Sequence, residues 1–212
     1  MNKMKTTLLI TLAAGIGLTA FHDPEGIINI GEAAPQADLK MLDVSGEEYS
    51  LNDLKDANGL LVVFSCNTCP FVVGNGEKSD GWEGRYNDVY DLVSGSNLGM
   101  VLVNSNEAKR DGNDSFEKMQ AHSEDAGYKM KYVVDEDHVL ADAFGAKTTP
   151  HVLLFDSNMK LVYKGAIDDN VNRADEVEQQ YLSDAVKNLV AGKTIDPNST
   201  KQLGCSIKRV KS

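Results

Sequence analysis

The sequence predicts an α/β chain: a mixed central sheet flanked by helices, with a small hairpin as an N-terminal extension. Three observations carry that expectation. The continuous apolar, β-branched runs "GLLVVFS" (59–65) and "LGMVLVNS" (98–105) have the pattern of strands buried on both faces. Helical segments separate such runs, as crossovers between parallel strands do. The chain then closes with a hairpin pattern and a last amphipathic helix.

Taken in order, Phe21 to Pro35 is a polar, Gly-containing lead-in, and "ADLKMLDVSGEEYSLNDLK" reads as strand, turn at Ser45-Gly46, short strand at Glu48 to Ser50, and a helical turn opened by Asn52. After the first core strand, "GNGEKSDGWEG" (74–84) is rich in glycine, each costing up to ~1 kcal/mol of helix propensity relative to Ala. A broken or mobile helix is expected there, running cleanly only from Tyr86 to Val93. "DSFEKMQAHSEDAG" reads as a helix with Asp114 as N-cap, Glu117 three residues on, and Gly127 closing it. "KYVVD" is a third strand and "HVLADAFGA" a short helix. "HVLLFD" and "KLVYKGAI" form the hairpin around Asp156-Ser157-Asn158, and "EVEQQYLSDAVKNLVAGK" is the terminal helix. This order resembles the thioredoxin-like fold. Residues 28–192 are assigned to one domain and 193–212 to a C-terminal tail.

Met1 to Ala20, "MNKMKTTLLITLAAGIGLTA", has Lys3 and Lys5, an apolar stretch from Leu8 to Leu18, and a small residue at a possible cut after Ala20. That is the pattern of a cleaved secretory signal peptide, and it is shorter than the ~20 apolar residues of a spanning helix. A periplasmic or secreted location, without stable membrane insertion, is the expectation. The chain carries a formal charge of -11, and loss of the two leader lysines would make it -13, which disfavours nucleic acid and anionic lipid as partners.

"FSCNTCPFV" places Cys66 and Cys69 where the first core strand ends and a helix must begin. Pro70 suits a first helical turn, where its missing N–H has no partner. Free N–H groups and the positive helix end there would stabilise a thiolate on Cys66, below the ordinary ~8.5. Cys66 is therefore expected to be the more exposed and more acidic thiol and the attacker, with Cys69 shielded and resolving. The alternatives are an inert disulfide or half a metal site. Zinc needs four ligands, and among Cys205, His22, His122, His138 and His151 no second paired spacing occurs. His151 is the one histidine considered close to the pair; His122 and His138 read as exposed or capping. "DEDH" (135–138) and Asp168-Asp169 lack calcium-loop spacing and read as turn and cap residues. No metal or cofactor is expected.

The motifs "CNTCP" (66–70), "NSN" (104–106), "DSFEKM" (114–119), "TPH" (149–151), "IDDN" (167–170) and "GCSIK" (204–208) together resemble bacterial exported proteins of the thioredoxin superfamily. The resemblance lies in the redoxin, AhpC/TSA-type branch, which holds the alkyl hydroperoxide reductase and thiol-specific antioxidant group, and covers essentially all of the mature chain. It implies that Pro150 is cis and packs against the cysteine pair, and that Thr149 before it offers its backbone to a substrate peptide. Ser65 stands where thioredoxins place tryptophan, and Leu60 occupies roughly the place of their buried acid. Glu107 is a possible substitute proton relay, against the plainer reading of a solvated loop residue.

The function expected is thiol-disulfide oxidoreduction through a mixed disulfide on Cys66, resolved by Cys69. Protein or small-molecule disulfides and thiols would be substrates, with an unidentified electron donor. Two other classes stay open. A thiol peroxidase would use the same cysteines, although "LVVFSC" lacks the upstream proline and threonine of that chemistry and no arginine is evident to polarise a peroxide. A copper or metal carrier is the other, although its CxxxCP spacing is one residue longer than the spacing here. Cys205 is a possible third redox thiol if the tail packs back over the sheet.

Overall fold

The computed structural model describes residues 26–210, so the leader sequence and His22 lie outside the described residues. Met41–Leu42 (β1) and Glu48–Tyr49 (β2) form the expected antiparallel hairpin. Helix α1 (Leu51–Leu54) follows. Its N-cap is Ser50, not Asn52: the Ser50 and Asp53 side chains cap each other's backbone N–H groups.

Five strands make the central sheet: β3 (Leu60–Ser65), β4 (Gly99–Asn104), β5 (Lys131–Val134), β7 (His151–Phe155) and β8 (Leu161–Gly165), in the order β5-β4-β3-β7-β8. The pairs β3–β4 and β4–β5 are parallel, and β3–β7 and β7–β8 antiparallel. Every residue of β3 is buried, as its unbroken apolar run requires. Leu61 and Val63 pack on one face with α3 (Tyr86–Ser94) and α6 (Tyr181–Val190). Leu60, Val62 and Phe64 pack on the other with Leu51 and with α5 (Val139–Phe144). Helix α4 (Phe116–Asp125) crosses from β4 to β5.

The chain after the cysteine pair forms one helical turn, α2 (Pro70–Val73), and stops at Gly74 with φ +78°. Two short 3-10 turns, 76–78 and 83–85, then lead into α3. Gly81 is required by close approach: a Cβ there would sit 2.2 Å from the Val72 carbonyl oxygen. The fold this glycine permits brings Trp82 inside, its indole N–H donating to Asp168 at 2.8 Å. Asp168 accepts from the Asn170 N–H at 3.0 Å, so it is the turn residue the sequence suggests and an anchor besides. It is buried and also paired with Arg85 at 2.5 Å.

Three further boundaries differ from expectation. The N-cap of α4 is Ser115, which accepts from the Lys118 N–H, and Asp114 is drawn inside instead. The last helix starts five residues late and ends three early, at Tyr181 and Val190. A third, two-stranded sheet was not legible: β6 (Thr148–Thr149) pairs antiparallel with β9 (Cys205–Ser206), so the C-terminal residues lie on the body of the fold.

Candidate redox site

Cys66 follows the last residue of β3, and Cys69 is the N-cap residue of α2, so the parallel strand and the helix start bring the two thiols together as the sequence implies. Both are free thiols and both are buried, with Cys66 2% and Cys69 4% exposed, which corrects the expectation that Cys66 is the open one. The exposed residues of the motif are Thr68 and Pro70.

Thr149 touches both sulfurs. Its hydroxyl lies 3.1 Å from Cys66 Sγ, and its carbonyl oxygen accepts from the Cys69 thiol at 3.1 Å. The Thr149-Pro150 bond is cis, and Thr149 is 1% exposed. Its backbone is not open to solvent as the resemblance implies, because Thr149 pairs with Cys205 of β9.

The two thiols titrate as a unit, since the sulfur that keeps its proton donates it to the other. The Cys66 thiol lowers Cys69 to about 5, helped by the Cys205 thiol and N–H and by the Phe71 N–H, against burial. Donating that hydrogen bond, together with burial, pushes Cys66 up, although the Thr149 hydroxyl and the Thr68 N–H oppose the rise. At rest the charge thus leans toward Cys69, the reverse of the expected order. The Thr149 carbonyl pulls the other way, because it attracts Cys69 only while that thiol is protonated. One proton shared between the two coupled thiols can pass to either sulfur as a reacting group arrives.

The intervening residue Asn67 is a lock that sequence reasoning missed. Its N–H donates to buried Asp114 at 3.0 Å, its amide donates to the Asn113 carbonyl at 2.8 Å, and it accepts from the Tyr132 hydroxyl at 2.8 Å. Asp114 also accepts from Asn104 at 2.8 Å and Asn106 at 3.1 Å. A carboxylate with three donors tolerates burial. The available signal was a cluster of short polar residues, 104, 106 and 114, at the end of a buried strand. Ser65, in place of tryptophan, meets the Tyr86 hydroxyl at 3.1 Å.

Other expected participants lie elsewhere. Glu107 pairs with Arg110 and the Asp137 N–H and is no relay at the sulfurs. Arg110 is spent on the Asp114 and Asn104 carbonyls. His151 is fully buried in the layer of Phe64, without a partner on either ring nitrogen, and burial pulls its pKa to about 3. His122 is bonded to Glu83, which raises its pKa, and His138 to Asp142 at 2.7 Å. Asp135 of "DEDH" is buried and accepts from the Leu140 and Ala141 N–H groups at the start of α5. No cluster of three or more His, Cys, Asp or Glu side chains among the described residues is placed to hold a metal ion, and no helix among them is long and apolar enough to cross a membrane.

Comparison with known proteins agrees with this architecture. A hypothetical protein from Sinorhizobium meliloti is 29% identical, covering 88% of this chain and 98% of its own, with a TM-score of 0.77. An uncharacterized conserved protein from Geobacillus kaustophilus is 28% identical over 87% and 94% of the two chains, also at 0.77. The thioredoxin domain of a thiol-disulfide oxidoreductase from Bacteroides vulgatus, 20% identical over 77% and 99%, shares the fold at a TM-score of 0.55. No curated protein matches the chain. The AhpC/TSA family model matches residues 30–164, which include the cysteine pair and the Thr149-Pro150 bond, and the chain therefore belongs to the AhpC/TSA family, as an oxidoreductase of the redoxin branch of the thioredoxin-like superfamily.

Proposed function

We propose that the protein is an exported thiol-disulfide oxidoreductase in which Cys66 forms the mixed disulfide with its substrate and Cys69 resolves it. The observation that carries this reading is the contact of Thr149 with both sulfurs. Its hydroxyl supports a thiolate on Cys66 once the shared proton has moved to Cys69, and its carbonyl then holds that proton until resolution. Cys66 attacks a substrate sulfur and the first leaving thiolate departs. Cys69, having lost its proton, then attacks Cys66 and releases the second, leaving a Cys66–Cys69 disulfide. Thr149 and Pro150 back the two sulfurs from inside, and a substrate chain would approach over the exposed Thr68 and Pro70. Substrates are protein or small-molecule disulfides or thiols, and a separate electron donor reduces the Cys66–Cys69 bond again. Export rests on the leader pattern of Met1 to Ala20.

The competing reading in this family is peroxide reduction by the same thiols. It is disfavoured by the engagement of Arg110 away from the sulfurs, and of Arg85 with Asp168. The test is trapping in the exporting host. Cys69→Ser should accumulate covalent adducts on non-reducing gels after acid quench, and Cys66→Ser should accumulate none. Adducts on Cys66→Ser alone would reverse the roles. Absence of adducts on both, with peroxide consumed by the wild type, would establish the peroxidase.

A further inference from the structure

We propose that Cys205 is a third exchanging thiol, held by the C-terminal strand beside Cys69, and that the Cys66–Cys69 disulfide isomerises to Cys69–Cys205. The inference rests on the function proposed above and deepens it. Strand β9 pairs with Thr148–Thr149 in the register Thr149↔Cys205, on the backbone edge next to the sulfurs. The approach is closer than any residue but glycine permits at the preceding position. A Cβ on Gly204 would stand 2.5 Å from the Thr149 carbonyl oxygen and 2.9 Å from its carbon.

The strand is fixed from both sides. Before it, Thr200 accepts from the Ala166 N–H at 3.0 Å. Beyond it, Ile207 is buried in the core and donates its N–H to the Lys147 carbonyl at 3.0 Å, and the Lys208 N–H donates to Asn106 at 2.8 Å. Asn106 in turn binds Asp114, the carboxylate that holds Asn67, so tail and cysteine loop share one hydrogen-bond network.

Cys69 is the middle thiol: its charge is coupled to Cys66 on one side and to Cys205 on the other, and the Thr149 carbonyl that accepts from Cys69 belongs to the residue that pairs with Cys205 across the two-stranded sheet. That order is what an intramolecular exchange requires. The Cys205 thiolate attacks Cys69 Sγ, the Cys66–Cys69 bond breaks, and Cys66 leaves as a thiolate that takes up the proton Cys205 lost. One disulfide and one thiol stand on each side, so no outside oxidant is consumed. The reduced protein suppresses this attack: burial, then the hydrogen bond and charge of Cys69, push Cys205 up to about 11. Oxidation of Cys69 removes the last two causes and frees Cys205 to ionise. Cys205 is also the one partly exposed thiol of the three, so the exchange carries the disulfide from a buried pair to a bond that an external donor can reach.

The test uses the full-length mature protein, oxidised with glutathione disulfide, quenched with acid, alkylated, and mapped by mass spectrometry without reduction. Cys66→Ser should close a Cys69–Cys205 bond, and the wild type should show Cys66–Cys69 together with a share of Cys69–Cys205. Gly204→Ala should slow Cys69–Cys205 closure at least tenfold while Cys66–Cys69 forms within about twofold of the wild-type rate. Wild type that forms Cys66–Cys69 but never Cys69–Cys205, or Cys66→Ser that ends with glutathione on separate thiols, overturns the inference and leaves the proposed function standing. An unchanged closure rate in Gly204→Ala also overturns it. Wild type that forms no Cys66–Cys69 bond removes both.

Discussion

The Thr149 hydroxyl lies 3.1 Å from Cys66 Sγ across 83 residues of sequence, and the same residue's carbonyl oxygen lies 3.1 Å from Cys69 Sγ. A donor to one sulfur and an acceptor from the other divide a shared proton between the two. Thr149→Val keeps the side-chain shape and removes only the donor. Iodoacetamide modification of reduced protein at neutral pH should therefore slow severalfold at Cys66, with unfolding free energy changed by about 0.5–1.5 kcal/mol, the net worth of one hydrogen bond. An unchanged alkylation rate would show that the hydroxyl does not serve the thiolate.

Asp114 should matter to the cysteine loop far more than a helix cap would. Asp114→Ala leaves the Asn67 N–H and the Asn104 and Asn106 amides without an acceptor in a buried site. A loss of about 3 kcal/mol in urea unfolding is expected, at the upper end of the cost of a stranded buried donor. A loss under about 1 kcal/mol would mean that water or a shifted loop replaces the carboxylate.

Asp168→Ala strands the Arg85 guanidinium, whose side chain is 14% exposed, and frees the Trp82 indole. Breaking one side of such a pair costs about 3–5 kcal/mol. Because the chain has a single tryptophan, the change is also visible as a red shift and loss of native fluorescence in Trp82.

His151 should make the protein acid-sensitive. Its folded pKa lies at about 3, below the ordinary 6.5, because burial disfavours the charged ring. The unfolded chain therefore binds a proton that the folded one refuses, and stability falls as pH drops from about 6.5 toward 3. His151→Leu should flatten that slope in thermal melts, and removing two unpartnered ring nitrogens should leave stability at pH 7 equal or higher. An unaltered acid slope would assign the sensitivity to other groups.

The cysteine pair gives a second, redox-dependent signature. Cys69, lowered to about 5 in the folded reduced protein, adds stability that is complete above the ordinary thiol range and is lost as pH falls through about 5. Cys66, pushed up, removes stability once pH exceeds the ordinary thiol range. Reduced wild type compared with the Cys66→Ser, Cys69→Ser double variant should show a thermal-stability difference that rises between about pH 5 and 9 and then declines. A pH-independent difference would mean that the pair does not share its proton.

The sheet was legible because its causes are local. "LLVVF" and "GMVLV" have no polar position to turn toward water, so they must be covered on both faces, and the glycines from 74 to 84 cannot continue a helix. The place of Cys66 and Cys69 follows from the same run, since a thiol pair directly after a buried strand and before Pro70 has one place to go. What the sequence could not decide is what meets that pair. Asp114 reads as a cap in its own segment, and only the return of β4 beneath the cysteine loop, with Asn67, Asn104 and Asn106 offering donors, makes burial the better state for its carboxylate. The order of thiol acidities was lost for a related reason: a helix start favours a thiolate in general, but the Cys66 thiol acts first on Cys69, and Cys205 adds its thiol and N–H from the far end of the chain. Two-residue strands such as Thr148–Thr149 and Cys205–Ser206 carry no periodicity of their own. Their pairing exists because Gly204 leaves room for one backbone against the other and Ile207 anchors the end in the core, and that long-range fit decides that the tail belongs to the site.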